Sequence, residues 1–405
     1  MKSRLFLVSL LGAISAILIA GCNTDCKGKC STKKEAPEAV AIYYPHWHPY
    51  PIGEKYKGKG WTEYEDMKTA KPMFKGHKQP KIPTMGYLRS DNPDDVAKEI
   101  DLAADAGISA FLYCWYWYSG SQSMQEGIEK GLLKAKNKDR IKFAIMWANH
   151  DRVDAFRPKY GGERPLWNKI IHTEEDMINV ANYCAEKYFN QPNYWRINGK
   201  SYFAIYRPIF TIEQLGGAAK TKAILKKIDA MMKEKGLPAI HWAAQVSSTK
   251  EAKIAKEAGF ESTFAYGVNV YSAYRNWELG TPIVEYSDLM QAHCKHWDAM
   301  SKGEIVNLPG VTRGWDSTPR CRQDTPFPFP KKMDYPYTST VVNGSAELYK
   351  ELLQKAKNFA KNDSKKPFAV ILNAWNEWTE GGYLLPDKYD GRTTLDAIGD
   401  VFGGK

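Results

Sequence analysis

The feature that most constrains the fold of this 405-residue chain is a regular alternation of short apolar runs with longer amphipathic runs. The apolar runs predict buried strands at 40–44, 108–113, 143–147, 202–206, 240–245, 262–265, 306–311 and 368–372. The amphipathic runs predict helices at 93–106, 174–189, 218–235, 250–258 and 345–362. Asp91 or Asn92 is the expected cap of the first of these helices. Strands that alternate with helices are typical of a parallel sheet covered by helices.

This βαβα order predicts the α/β class, and within it a single (β/α)8 TIM-type barrel with enlarged loops. A doubly wound open sheet is the alternative, although the sequence has no glycine-rich phosphate loop after its first predicted strand. The sequence shows neither an internal repeat nor a second domain boundary. We therefore expect one catalytic domain over residues 39–405.

The first 21 residues have the layout of a secretory signal, because Lys2 and Arg4 precede an apolar run over 5–20. The run ends in "LIAGC", which resembles a bacterial lipobox and implies cleavage before Cys22 and lipidation of its sulfur. The expected protein is then secreted across the inner membrane and lipid-anchored in the cell envelope, in the periplasm or at the outer-membrane surface. An ordinary signal peptide with an incidental cysteine is the alternative.

Residues 22–38 are polar and lack an apolar period, so they predict a flexible tether between anchor and domain. Cys26 and Cys30 lie in this tether without a nearby histidine, which disfavours a metal cluster. Of the later cysteines, Cys114 and Cys184 sit in apolar patterns and are expected in the core. Two others, Cys294 and Cys321, could pair in an oxidising compartment.

The chain is basic, with 57 Lys and Arg against 46 Asp and Glu and a formal net charge of +11. A positive surface attracts anionic glycans or anionic lipid headgroups, but a lysine-rich solvated surface has the same charge. The basic residues form no marked cluster, so we expect no nucleic-acid partner. We also expect a monomer that needs no cofactor.

Aromatic and polar residues follow nearly every predicted strand, where a barrel of this type carries its chemistry. Aromatic faces stack on sugar rings and polar groups bind the hydroxyls, so this mixture favours a carbohydrate cleft; for any one tryptophan, packing under a loop is the alternative. The candidate substrate-binding residues are Tyr44, His46, Trp47, His48, Trp115, Tyr116, Trp117, Trp147, Asn149, His150, Asp151, Tyr206, Arg207, Gln245, Tyr266, Trp315, Asp316, Arg320, Trp375, Asn376 and Trp378.

A metal site is a second interpretation of His46, His48, His150 and Asp151, which follow neighbouring strands. They lack the spacing of a specific metal motif, and His46 and His48 point to opposite sides of an extended segment. Hydrogen bonding to sugar hydroxyls, or orientation of a glutamate, is the simpler role, so we predict no metal.

The segment "NAWNEWTEGGYLLPD" at 373–387 places Glu377 and Glu380 three residues apart directly after the last predicted strand. Glycosidic cleavage uses one protonated carboxyl group and one carboxylate, and neighbouring acids split their pKa values. In a helical turn the two β-carbons would lie about 5–6 Å apart. A solvated capping turn explains the spacing equally well. Spacing alone leaves both interpretations open.

Six motifs in order resemble the WbsX-type family, which is similar to the endo-α-mannosidases of glycoside hydrolase family 99. The resemblance covers the chain from about residue 40 to its end, and implies a (β/α)8 barrel and retaining hydrolysis of α-linked glycans. The motifs are "YYPHWHPYP" at 43–51, "GKGWTEYEDMKTAKPMFKGHKQPKIP" at 58–83, "FLYCWYWYSG" at 111–120, "MWANHD" at 146–151, "RGWDSTPR" at 313–320 and "WNEWTEGGYLLPD" at 375–387.

The resemblance implies different roles for the two catalytic glutamates. Glu377 would deprotonate the sugar 2-hydroxyl, which attacks the anomeric carbon, and Glu380 would act as general acid and then as general base. Two departures lie beside the expected cleft: many members carry an acidic residue at the position of His150, and many read Leu-Glu-Pro-Asp where Leu385 stands here. The sugar and its linkage are therefore open.

Three hypotheses follow for the function. The leading one is a lipid-anchored glycoside hydrolase whose partners are an oligo- or polysaccharide and, through its acyl chains, a membrane. The second is a catalytically silent glycan-binding lipoprotein, which the presence of both Glu377 and Glu380 disfavours. The third is a glycosyltransferase, a label that WbsX-type proteins also carry, although a protein outside the cytoplasm would lack nucleotide-sugar donors.

Overall fold

Nine parallel strands form a nearly closed barrel in the computed structural model, which describes residues 36–159, 162–267, 282–329 and 335–403. This confirms the predicted TIM-type barrel. The strands are β1 Glu38–Tyr43, β2 Ile108–Tyr118, β3 Lys142–Trp147, β4 Lys200–Ile205, β5 Ile240–Gln245, β6 Ser262–Phe264, β7 Val306–Leu308, β8 Gly310–Thr312 and β9 Ala369–Asn373.

The barrel closes through a strand that is divided by a proline. In space the strands follow the order β7-β6-β5-β4-β3-β2-β1-β9-β8. Only Pro309 separates β7, which pairs with β6, from β8, which pairs with β9. Proline has no N–H to donate to a sheet, and here its carbonyl accepts from Ile371 N at 2.9 Å. The single strand predicted at 306–311 is thus two.

Helices surround the strands, and the five predicted ones are confirmed with small shifts at their ends. The helix predicted over 174–189 is α-helical to Cys184 and ends in a wider turn, Ala185–Phe189. Other helices were not named from the sequence. The helices are α1 Pro51–Lys57, α2 Tyr64–Lys68, α3 Pro93–Asp105, α4 Glu174–Cys184, α5 Pro208–Gln214, α6 Ala218–Glu234, α7 Thr249–Glu257, α8 Tyr286–Ser301, α9 Ala346–Asn362 and α10 Thr393–Phe402.

Helix α9 shows why these segments fold as they do. Ser345 caps it by accepting from Leu348 N at 3.3 Å, which satisfies one of the free N–H groups of the first turn. Its buried residues recur at three- and four-residue steps and form one apolar stripe against the barrel. These are Tyr349, Leu352, Leu353, Ala356 and Ala360. Asn92, one of the two predicted caps of α3, likewise accepts from Asp94 N and Asp95 N.

The core lies inside the barrel and between the barrel and its helices. Four consecutive residues of β1, from Val40 to Tyr43, are completely buried, as expected for a parallel strand covered on both faces. Cys114 and Cys184 are buried as predicted, whereas Cys294 and Cys321 are both free and form no disulfide. Smaller strand pairs lie outside the barrel. They involve Ser121–Ser123, Arg152–Val153, Leu166–Asn168, Arg196–Ile197, Ile283–Glu285 and Thr340–Val342.

The N-terminal predictions fall outside the described residues. The expected signal segment, Cys22 and the two tether cysteines, Cys26 and Cys30, all precede Ala36. Within the described part, no helix combines the length and apolar character needed to cross a bilayer. The first strand begins at Glu38, one residue before the expected start of the domain.

Candidate active site

A cavity of about 1130 Å³ opens at the carboxyl ends of the barrel strands. Residues at the end of β2, β3, β4, β5, β6, β8 and β9 all contribute to its wall, which is the arrangement expected for a TIM-type barrel. The predicted site residues that line it are Tyr44, His46, Tyr116, His150, Asp151, Tyr206, Arg207, Gln245, Tyr266, Trp315, Arg320, Glu377 and Glu380.

Both glutamates lie on one short turn after β9. Trp378–Glu380 form a single 3₁₀ turn, and Glu377 immediately precedes it. Positions i and i+3 of such a turn eclipse each other, so both side chains face the cavity. Gly381 ends the turn at φ +69°, and a Cβ there would lie 2.7 Å from Asp316 N, so the close approach of the two loops requires glycine.

Asn376 fixes this turn to the loop after β1. Its Oδ1 accepts from Tyr44 N at 2.7 Å, and its Nδ2 donates to Tyr44 O at 2.9 Å. Trp47 Nε1 donates to Asn376 O at 3.0 Å, which adds a third bond between the same loops. Asn376 therefore acts through backbone contacts that hold Glu377 in place.

One buried arginine joins the acidic groups of the site. Arg320 Nη1 donates to Glu380 Oε1 at 2.7 Å, and its Nη2 lies 2.9 Å from Glu63 Oε2 and 3.5 Å from Glu377 Oε2. Its Nε donates to Thr379 Oγ1 at 2.8 Å. Three carboxylates around one guanidinium carry an excess of negative charge, which favours a proton on the cluster.

Glu377 is the carboxyl group that this environment favours in the protonated form. Burial, and secondly the charge of Glu380, raise the pKa of Glu377 well above its ordinary value, with Arg320 opposing them. The Tyr266 hydroxyl lies 3.2 Å from Glu377 Oε1 and 3.5 Å from Glu380 Oε2. Tyr335 donates to Glu380 Oε1 at 2.7 Å. A shared hydroxyl therefore connects the two glutamates.

The tautomer of His46 follows from its partners. Glu63 accepts from Tyr44, Thr379 and Arg320, so the one proton of the Tyr44 hydroxyl is directed to Glu63. The Tyr44 oxygen must then accept from His46 Nδ1, 2.8 Å away. Burial lowers the pKa of His46 well below its ordinary value, so the ring is neutral. Its Nε2, which has no partner among the described residues, is a hydrogen-bond acceptor.

Aromatic rings form the wall around His46. The Tyr44 and Tyr116 rings lie 4.4 and 4.6 Å from His46, and Tyr116 contacts His150 edge to face at 6.4 Å. His150 in turn contacts Tyr206 at 5.8 Å. The described residues contain no cluster of three or more metal-ligating side chains in reach of one ion. The wall instead offers ring faces, one histidine acceptor and carboxylates.

Other predicted site residues lie behind the cavity wall, and several of them bond through polar atoms to other parts of the protein. Trp117 Nε1 donates to Asp176 at 2.7 Å, Asn149 Nδ2 donates to Thr211 at 2.7 Å, and Asp316 accepts from His77 and Gln79. Their geometry suits positioning of the wall rather than the substrate contact that we expected. This group comprises Trp47, His48, Trp115, Trp117, Trp147, Asn149, Asp316, Trp375, Asn376 and Trp378.

Three residues of the site were missed from the sequence. Glu63, directly before α2, and Tyr335 both contact Arg320 and lie outside the periodic runs, and Arg152 follows β3 in the cavity wall. Of the two family departures, His150 lines the cavity as expected. Leu385 does not line it; it borders a small separate cavity beside Trp378.

Comparison with known proteins decides the family. The sequence model described as Glycosyltransferase WbsX matches residues 39–398. The chain belongs to the WbsX family. Two curated relatives, the WxcX proteins of two strains of Xanthomonas campestris pv. campestris, are 25% identical over 368 residues, covering 88% of this chain and 48% of the relative. This WbsX-family chain thus spans about half the length of the curated relatives it matches.

Solved structures share the fold of this WbsX-family chain. The family 99 endo-α-mannosidase from Bacteroides thetaiotaomicron superposes with a TM-score of 0.52 at 14% identity, covering 89% of this chain and 95% of that one. A glycoside hydrolase-like protein superposes with a TM-score of 0.55 at 13% identity, covering 92% and 95%. At these identities the likeness concerns the fold alone, and it supports the barrel described above.

Proposed function

We propose that this chain is a retaining glycoside hydrolase that cleaves α-linked bonds in a polysaccharide. The observation that carries the proposal is the pair Glu377 and Glu380, which share the Tyr266 hydroxyl at the floor of an aromatic cavity. The shared partner places both carboxyl groups at one point of the cavity. Retention is the outcome that the family resemblance implies for this pair.

The proposed roles are those that the family resemblance implies. Glu377 removes the proton of the sugar 2-hydroxyl, whose oxygen attacks the anomeric carbon, while Glu380 protonates the departing oxygen. Glu380 then removes a proton from the water that opens the anhydro sugar, and Glu377 returns its proton to the 2-oxygen. The high pKa of Glu377 suits this role, because a carboxylate with a raised pKa is a stronger base once it is ionised.

Before the first step, a proton has to move between the two glutamates. Burial favours the proton on Glu377, whereas the general acid of the first step is Glu380. Tyr266 can accept from one carboxyl group and donate to the other, so its hydroxyl is the proposed relay. Burial keeps the pKa of Tyr266 well above its ordinary value, so the phenol stays protonated throughout.

Turnover without an activated donor tests this proposal. Purified protein is incubated with microbial, plant and host polysaccharides in the absence of nucleotide sugars, and released saccharides are measured. We expect cleavage of at least one α-linked glycan, a loss of roughly 10²–10⁴-fold in turnover for Glu380→Gln, and retained anomeric configuration in the first product by proton NMR. The control is Glu304→Gln, whose side chain is 81% exposed on the surface.

Each alternative predicts a different result in the same assay. Turnover that requires a nucleotide-sugar donor would support a glycosyltransferase, the activity after which the family is described. Binding without turnover by wild type and Glu380→Gln alike would support a glycan-binding protein. An inverted first product would overturn the retaining mechanism.

We also propose that the protein is lipid-anchored in the cell envelope through Cys22, as the lipobox-like "LIAGC" indicates. Expression of the full chain in cells fed a clickable palmitate analogue tests this. Wild type should take up label and sediment with membranes, and Cys22→Ala should do neither. Equal labelling of Cys26→Ala is the matched control, and an unlabelled wild type would contradict the proposal.

A further inference from the structure

A second buried arginine, Arg152, lies in the wall of the same cavity. It follows β3 in the short strand Arg152–Val153, and only 6% of its surface is exposed. Its guanidinium lies 5.8 Å from the Tyr116 ring, which itself contacts His46. Arg152 therefore reaches the cavity beside the aromatic wall and lies outside the cluster of Arg320.

The partners of Arg152 are neutral. Its Nη2 donates to the Tyr50 hydroxyl at 2.9 Å, and its Nη1 lies 2.7 Å from Met124 Sδ. Besides Tyr116, the rings of Tyr50 and Trp167 lie 4.9 and 5.3 Å from the guanidinium. Ring faces attract a cation, but they carry no net charge.

The acidic residues next to Arg152 in the sequence bind other groups. Asp154 forms an ion pair with Lys57 at 2.8 Å, and Asp151 Oδ1 accepts from Ile170 N at 2.8 Å. Within the described ranges no carboxylate lies within 4.0 Å of Arg152 nitrogen atoms. A buried charge in proteins is ordinarily paired, because its desolvation is otherwise uncompensated. An anionic group on a ligand would supply the missing pair.

We propose that Arg152 forms a subsite for an anionic group on the glycan, a carboxylate, sulfate or phosphate. The inference rests on the proposed glycan cleft and names the substrate class as an acidic polysaccharide. A guanidinium suits this task because its planar N–H groups bind oxyanions in pairs. Glu213 and Glu251 also line the cavity, and they disfavour an anion placed beside them.

The net charge of the chain supports this class of substrate. The formal charge of +11, to which Lys2 and Arg4 of the expected signal segment contribute only two, attracts acidic polymers at a distance, and Arg152 would then select a particular residue of the polymer at the wall. His46 lines the same cavity beside Tyr116, so a neutral ring lies next to the proposed anion site.

Matched pairs of glycans test the subsite in a Glu380→Gln background, where binding is measured without turnover. The pairs are polygalacturonate and its carboxyl-reduced form, sulfated α-fucan and its desulfated form, and phosphomannan and its dephosphorylated form. Affinity electrophoresis and calorimetry measure each Kd. We expect at least one anionic member to bind roughly tenfold or more tightly than its neutral partner, and the pair that does so identifies the anion.

Variants of Arg152 attribute that preference to its charge. Arg152→Gln should abolish the difference within the preferred pair and leave the affinity for the neutral member within about twofold. Arg152→Lys keeps the charge and should retain part of the preference. Arg140→Gln, which removes an exposed arginine paired with Asp101 and Asp105, controls for net charge and should leave the preference unchanged.

Several results would overturn the inference. One is that Arg152→Gln weakens the binding of the anionic and the neutral glycan of a pair equally. Another is that the preference for the anionic glycan survives Arg152→Gln, and a third is that the protein binds none of the anionic glycans. The hydrolase proposal fails separately. Cleavage of a neutral glycan without charge preference would support the hydrolase proposal and overturn the subsite proposal. Arg152-dependent anion binding without cleavage of any glycan would support the subsite proposal and overturn the hydrolase proposal.

Discussion

Two arginines in the wall of one cavity are equally buried, but different kinds of partner surround their positive charges. Arg320 and Arg152 are each 6% exposed. Arg320 contacts the carboxylates of Glu63, Glu377 and Glu380, whereas Arg152 contacts three aromatic rings and neutral polar atoms. Burial alone therefore does not distinguish a charge that holds a site together from a charge that is available to a ligand. The identity of the partners does.

The largest effect expected from this difference is on stability, for Arg320→Met. The substitution leaves three buried carboxylates without their cation, and breaking a buried pair in this way costs about 3–5 kcal/mol. We expect a loss of that size in the free energy of unfolding, measured by urea denaturation at pH 7. The control is Arg140→Met, which breaks exposed ion pairs and should cost at most about 1 kcal/mol.

A loss for Arg320→Met no larger than for the exposed control would contradict this account. It would mean that the carboxylates take up protons at no cost when the guanidinium is removed. Repeating the denaturation at pH 5 separates the two cases. If unpaired negative charge is the cause, protonation of the carboxylates at low pH should recover part of the lost stability.

The sequence predicts the barrel strands and the position of Arg320, but it does not predict which groups the two arginines contact. Continuous apolar runs such as that of β1 locate the strands, and the strand-end rule then locates Glu377, Glu380 and Arg320 at the mouth. Periodicity could not show that Pro309 divides one apolar run into two strands. Nor could it pair Glu63 with Arg320, because their contact joins positions 257 residues apart in aperiodic loops. The ion pairs of a site depend on such loop contacts.

The strand-end rule also selects residues that do not line the cavity. It selects Trp117 and Asn149 correctly as residues near the mouth, but their polar atoms bond to Asp176 and Thr211 behind the wall. Which side of a strand end faces the cavity depends on register and on the loop that follows. Neither is encoded in a short motif.

Tyr266→Phe tests the relay within the acidic half of the site, and we expect a loss of roughly 10–100-fold in kcat/KM. The Tyr266 hydrogen bond lowers the pKa of Glu377, so its removal should raise that pKa further and move the acidic limb of the pH profile to higher pH. Stability should change little, because phenylalanine keeps the ring contact with Tyr206. Kinetics over pH 4–9 measure both effects.

The matched control is Tyr335→Phe, which removes a donor to Glu380 but not the hydroxyl shared with Glu377. It should lower activity with a smaller movement of the acidic limb. Equal profiles for the two variants would argue that Tyr266 only positions a carboxylate, and that protons reach Glu380 by another path.

Glu377→Gln should stabilise the protein, by on the order of 1 kcal/mol at pH 8. The folded-state pKa of Glu377 is raised above its ordinary value. The contribution of this carboxyl group to the free energy of unfolding is therefore most favourable at low pH and is lost as pH rises through the raised pKa. Glutamine stays neutral, so the gain should increase from pH 5 to pH 8. Thermal unfolding at both values measures it, and a variant less stable than wild type at pH 8 would contradict the pKa direction.

The smallest effect is expected for Arg152→Met, whose free energy of unfolding should stay within about 1 kcal/mol of wild type. The substitution gives up cation–π contacts worth about 0.5–2 kcal/mol, but it also removes the cost of burying a cation that has no anionic partner in the described structure. Methionine keeps an apolar side chain against Tyr50 and Trp167. A loss as large as that of Arg320→Met would show that the rings compensate the charge fully. Arg152 would then be a packing residue, and no uncompensated positive charge would remain for an anionic ligand to neutralise.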